Sequence, residues 1–336
     1  MTVKTLVILL LTFLLSTATL LVSQDAVVKK STSTDHLFSS HSLLRAPAHS
    51  GYRAPVANSA IYQFATVDYP GASGTYVFAE NAGGTFVGTF GYDFEKADGF
   101  TYRNGVYATL DYTEALATAL TGINTAGQIV GYYQDSLFLV HGLLYDGGTF
   151  TSFDAPGASA TFAYDINDSG EIVGMYLDSS QHEHGFIDDG GSFTTLDYPG
   201  GSDTVLTGIN LAGTIVGYWN SDNQGINYFH GFSYSGGVFT PVDFPRSNGT
   251  AVMGINDAGM ITGYCNDRND VTHGFLYSNG IYNSLDVPGA NATELMRSKK
   301  GNLIDGVYFD ALNEAHGISV RHQQGSQITP NPNTIF

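Results

Sequence analysis

Cysteine is all but missing from this chain of 336 residues: Cys265 stands alone, so no disulfide can form within it. A chain that leaves the reducing compartment must then rely on its buried core. Basic residues are scarce too, with 13 Lys and Arg against 31 Asp and Glu and a formal net charge of −18. Five of those 13 precede residue 61, so the remainder is more acidic still. Such a field repels phosphate backbones and argues against nucleic acid and anionic membranes as partners. No stretch carries helical periodicity of any length. Catalytic signatures are absent as well: there is no G-x-S-x-G, H-E-x-x-H, phosphate loop, dinucleotide glycine fingerprint or S-x-D-x-G-x-T-W box.

What is present is repetition. An Asp recurs as Asp68, Asp111, Asp154, Asp197, Asp243 and Asp286. It is followed by Thr75, Thr118, Thr161, Thr204, Thr250 and Thr293, then by the Gly of "xIVG" at 88, 131, 174, 217, 263 and 306. A second Gly, usually after His, recurs at 99, 142, 185, 231, 274 and 317. The step is 43 residues, with one step of 46.

Each copy reads as four short strands. "HGFLY" leads through pairs such as Asn104-Gly105 or Gly147-Gly148 into "TFTSFD", and these pairs suit a two-residue hairpin turn. Pro-Gly turns such as Pro156-Gly157 then lead to a strand ending in "GIN". An "NxxG" turn leads on to "QIVGYY". Four-stranded units of this length are propeller blades, so the expected fold is an all-β, six-bladed β-propeller. The array spans 61–324. It begins one strand into a blade, so Ser319–His322 should pair with Gln63–Val67 and close the ring.

In the order His-x-Phe strand, Gly turn, "SxAxxIN" and "GxVVG", residues 61–320 resemble the HAF-type extracellular repeat of bacterial secreted proteins. Gly stands here where that family usually has Ala after His, and "DxPGA" where many members have "LG". The resemblance implies the fold and an extracellular setting, and it brings no assigned reaction. Residues 1–23, with Lys4 and an apolar run from Leu6 to Leu15, have the pattern of a secretory signal peptide. The expected location is therefore extracellular or periplasmic, or membrane-anchored if the signal stays uncleaved. Residues 24–60 read as a flexible lead-in and 325–336 as a disordered tail.

Five histidines recur once per copy. Across the hairpin turns His141 stands opposite Asp154, His184 opposite Asp197, His230 opposite Asp243 and His273 opposite Asp286. Ring closure would set His316 opposite Asp68. We read these as structural pairs. The stretch Asp165, Asn167, Ser169 has alternate oxygen ligands like a calcium loop, the one weak metal candidate, and no other cofactor is expected. The loops after "QIVGYY" vary in sequence, and the one with three extra residues carries Asn223, Gln224, Asn227 and Tyr228 beside Trp219. Amides beside aromatics suit a neutral glycan or a polar peptide. The expected function is thus a secreted, monomeric binding or scaffold module with a glycan or protein ligand and no catalytic residues. The alternative is a propeller enzyme, a polysaccharide lyase or glycoside hydrolase, with its site in the central funnel. That reading needs clustered carboxylates, and Glu80, Glu114, Glu171, Glu183 and Glu294 are scattered along the chain.

Overall fold

The computed structural model describes residues 62–93, 96–220, 229–298 and 303–322. The expected signal peptide, lead-in and tail lie outside them. The chain enters with β1 (Tyr62–Thr66) and builds blade 1 from β2 (Gly74–Glu80), β3 (Phe86–Asp93), β4 (Lys96–Arg103) and β5 (Val106–Thr109). Blade 2 is β6 (Ala117–Ile123), β7 (Ile129–Gln134), β8 (Val140–Asp146) and β9 (Thr149–Phe153). Blade 3 is β10 (Ala160–Ile166), β11 (Ile172–Leu177), β12 (Glu183–Asp189) and β13 (Ser192–Thr195). Blade 4 is β14 (Asp203–Ile209), β15 (Ile215–Asn220), β16 (His230–Ser235) and β17 (Val238–Pro241). Blade 5 is β18 (Gly249–Ile255), β19 (Ile261–Asn266), β20 (Thr272–Ser278) and β21 (Ile281–Ser284). Blade 6 takes β22 (Ala292–Arg297), β23 (Leu303–Phe309) and β24 (Ala315–His322), and β1 is its outermost strand. This is the six-bladed β-propeller that the repeat count predicts. Among the described residues no helix is long and apolar enough to cross a membrane.

The closing register runs from Tyr62 opposite His322 to Thr66 opposite Ile318. Ser319–His322 therefore faces Tyr62–Ala65, where the sequence suggested Gln63–Val67. The reason is local. Asp68 takes His316 Nδ1 at 2.8 Å and the Gly317 N–H at 3.2 Å, which fixes the strands that lead away from it.

The recurring residues hold the frame. Each Thr hydroxyl accepts the N–H of the residue after the Asp, as Thr161 does from Ala155 at 3.1 Å and Thr204 from Tyr198 at 2.9 Å. Each Asn of "NxxG" closes its own turn and also reaches the next blade. Asn81, Asn124 and Asn167 donate to the carbonyls of Asn124, Asn167 and Asn210 at 3.2, 3.2 and 3.3 Å. The seams between blades are apolar, filled by side chains such as Phe100, Phe186 and Phe232. Cys265 is buried in one of them. Cross-strand aromatic pairs recur on the outer hairpins, with Tyr102 and Tyr107 centred 4.4 Å apart and Tyr277 and Tyr282 4.5 Å apart.

Candidate functional site: the axis and the rim

The innermost strands share one irregularity. Pairing with the second strand slips between Val77 and Ala79, Leu120 and Gly122, Ala163 and Asp165, Leu206 and Gly208, Val252 and Gly254, and Leu295 and Arg297. A bulge leaves one residue unpaired and re-aims its side chain. The six residues skipped in this way are Phe78, Thr121, Tyr164, Thr207, Met253 and Met296. All six line the cavity on the ring axis, together with Tyr132, Val205, Tyr218 and Arg297. The room there for water centres is ≈ 30 Å³. At roughly 10–15 Å³ each, that is about two waters. No sugar ring fits.

One residue past the bulge, four copies carry Ala79, Gly122, Gly208 and Gly254, while blades 3 and 6 carry Asp165 and Arg297. These blades face each other across a six-membered ring, and Arg297 Nη1 reaches Asp165 Oδ1 at 2.8 Å. The guanidinium also donates to the carbonyls of Thr121 at 3.2 Å, Tyr164 at 3.3 Å and Thr207 at 3.1 Å. Burial lowers the Arg297 pKa, and Asp165 and Asp305 oppose that shift. The small neighbours let the inner strands come close: a Cβ on Gly254 would stand 2.6 Å from the Met296 carbonyl oxygen.

Nearer the opposite face, carboxyl groups sit where other copies are small or apolar. Glu183 and Asp203 meet at the join of blades 3 and 4, where the Glu183 N–H donates to Asp203 Oδ1 at 3.1 Å. Burial first, and Asp203 second, push the Glu183 carboxyl well above its usual range. Burial lifts Glu294 to about 7. Tyr164 and Tyr218 feel the Glu183 charge, and Tyr76 and Tyr264 feel Glu294. Of the five glutamates considered from sequence, Glu80, Glu183 and Glu294 are buried, Glu171 holds Asn167 at 2.6 Å, and Glu114 is exposed. Arg297, Asp203 and Asp305 were missed. Their signal was available: Asp203 and Asp305 are charges at repeat positions otherwise filled by uncharged residues, and Arg297 shares its position with one other charge, Asp165.

The rim carries the histidines. His141 Nδ1 lies 2.9 Å from Asp154, His184 2.8 Å from Asp197, His230 3.1 Å from Asp243 and His273 3.0 Å from Asp286. A second carboxylate faces Nε2 of four histidines: Asp135 and Asp178 at 3.6 Å, Asp267 and Asp310 at 3.8 Å. The histidine rings lie against Tyr133, Tyr176, Trp219 and Tyr308.

Asp135, Asp178, Asp267 and Asp310 also open the loops that the sequence marks as variable. In each loop Asp Oδ1 accepts the N–H groups two and four residues on, at 2.7–3.0 Å. The residue three places on adopts positive φ: Phe138, Gln181, Asp270 and Asn313. Sequence varies there while conformation does not, because the leading Asp satisfies the backbone whatever follows it.

Of the proposed ligand-binding residues, Trp219 is half-buried and stacked on Tyr198 at 4.4 Å. Asn223, Gln224, Asn227 and Tyr228 lie outside the described residues. The calcium set is not brought together: Asp165 is held by Arg297, and Asn167 Oδ1 accepts the N–H groups of Ser169 and Glu171 at 3.0 Å each. Among the described residues, Asp310, Glu314 and His316 place their ligand atoms within 4.8 Å of one another. Asp310 is already capping its turn, and His316 is already bonded to Asp68.

No family model matches this chain, and no curated protein does. Among solved structures, a lectin of Aleuria aurantia in complex with Fucα1-6GlcNAc is similar at a TM-score of 0.47 and 12% identity, covering 74% of this chain and 95% of that one. A sialidase of Trypanosoma rangeli is similar at 0.46 and 11%, over 74% of this chain and 54% of that one. TolB of Acinetobacter baumannii is similar at 0.46 and 13%, over 75% and 64%. The likeness is one of overall architecture.

Proposed function

We propose that this chain is a secreted binding module of the HAF-repeat kind, which meets a glycan or protein ligand on the face carrying the Asp-headed turns. The observation behind this reading is the closed axis. Arg297 spans it, and the remaining space of ≈ 30 Å³ takes no polysaccharide. The rim offers something different in kind, a rigid circle of half-buried aromatics and carboxylates with one longer loop after Trp219. Recognition concentrates on loops held by such a frame. A funnel lyase or glycoside hydrolase has the raised carboxyl of Glu183 beside Asp203 in its favour. It lacks room for its substrate.

The test uses purified protein on a glycan array and in a reducing-end assay on the polysaccharides bound. Binding without turnover is expected, and it should weaken when residues 220–229 are replaced by the shorter stretch 178–183. Cleavage of any retained polysaccharide would favour the enzyme reading, and full binding after the loop exchange would move the site elsewhere.

A further inference from the structure

We infer that Glu183 and Asp203 form a subsite for a primary ammonium, delivered at the tip of a lysine side chain from a protein partner. The inference rests on the binding reading above and names the partner's chemistry.

The frame does not ask for these acids. Glu183 occupies the position of Ala97, Val140, Phe229, Thr272 and Ala315, and Asp203 that of Gly74, Ala117, Ala160, Gly249 and Ala292. Five copies fold with small or apolar groups there. Glu183 is 2% exposed, and its Oε1 has no hydrogen-bond partner among the described residues. A buried acceptor left unmade costs free energy, so the site is built for something that arrives. No ion pair within the described residues answers either acid, since the one buried guanidinium belongs to Asp165.

Three considerations select the visitor. A metal ion needs several ligand atoms around one point. The group of three that converges among the described residues is Asp310, Glu314 and His316, away from these acids. A sugar ring is too wide for a site whose two acids are only 2% and 3% exposed. A lysine stem is one methylene wide, can lie along apolar and aromatic walls and carries its charge at the end. Tyr164 and Tyr218, which feel the Glu183 charge, add aromatic groups that attract a cation. The net charge of −18 draws cations toward the molecule before contact. On arrival a charge-assisted hydrogen bond from the ammonium satisfies the orphaned acceptor.

The experiment titrates full-length protein with capped Gly-Lys-Gly and with the same peptide acetylated on Nε, by calorimetry or NMR. Affinity is expected to fall about ten- to a hundredfold on acetylation, and by a similar factor in Glu183→Gln and Asp203→Asn, the loss of a charged hydrogen bond. Glu183→Gln should melt at or above the wild-type temperature, because it removes a buried ionisable group. Equal binding of both peptides, undiminished binding to both variants, or no binding of the lysine peptide overturns the inference. The acetylation comparison on wild-type protein decides the matter even if a variant fails to fold. A glycan retained on the array while lysine peptides are ignored leaves the binding reading intact and removes this one. Glu183-dependent capture of a deacetylated amino-sugar chain alone would likewise refute a lysine-bearing partner.

Discussion

A single residue can show which of the rim pairs carries charge. His273 is the most buried of the recurring histidines, between Asp286 at 3.0 Å and Asp267 at 3.8 Å. Burial alone would lower its pKa, but the two carboxylates outweigh it and the net shift is upward. A raised folded-state pKa means the fold favours the protonated ring. That contribution is complete below the unfolded value of about 6.5 and is lost as pH climbs through the higher folded value. Urea denaturation of wild type and His273→Gln should therefore differ by about 1–2 kcal/mol more at pH 5.5 than at pH 8.5. A difference independent of pH would mean that the ring is neutral throughout. The His–Asp partners themselves were legible from hairpin arithmetic on the sequence. The second carboxylate was not, because Asp267 reaches His273 through a turn whose conformation no sequence pattern announces.

At the scale of the strand, the bulge explains the most persistent landmark. In blade 3 it drives the Phe162 carbonyl toward β11, and a Cβ on Gly174 would stand 2.0 Å from that oxygen. Nothing but glycine fits under it. Gly170 is glycine for another cause: its φ is +90°, and a Cβ there would meet nothing within 4 Å. Gly174→Ala should thus cost about 3 kcal/mol or more, the upper end for overpacking. Gly170→Ala should cost about 1–2 kcal/mol, the strain of a left-handed residue. Chemical denaturation of the two variants checks the order, and a reversed order would place the pressure in the turn. Strand number, turn residues and blade count were all open to a reader of the sequence, since turn chemistry and period two are local. The bulge was hidden, because it lies in how two strands pair and not in either strand's pattern. With it went the knowledge of which side chains reach the axis.

Four of the six blades are tied through one side chain. Arg297 in blade 6 bonds to carbonyls of blades 2, 3 and 4 and to Asp165, so four blades depend on it. Breaking a buried pair strands the partner's charge, and Arg297→Met should lower stability by about 3–5 kcal/mol. Asp165→Ala in the same chain should restore part of the loss by removing the stranded carboxylate, a coupling that a double-mutant cycle measures by urea unfolding. Additive losses would mean that the two act separately. The closing strands bear on the molecule in another way. Tyr62, where the chain enters, lies opposite His322, where it leaves, in an antiparallel pair. A tension applied between the two ends meets the five closing pairs one after another, as a zip is opened from its tab, and never all at once in shear. The ring can be strong against heat and still part under a small steady pull. If it hangs from a surface by one end, it bears load safely only when the drag reaches it through its face and not through its other end.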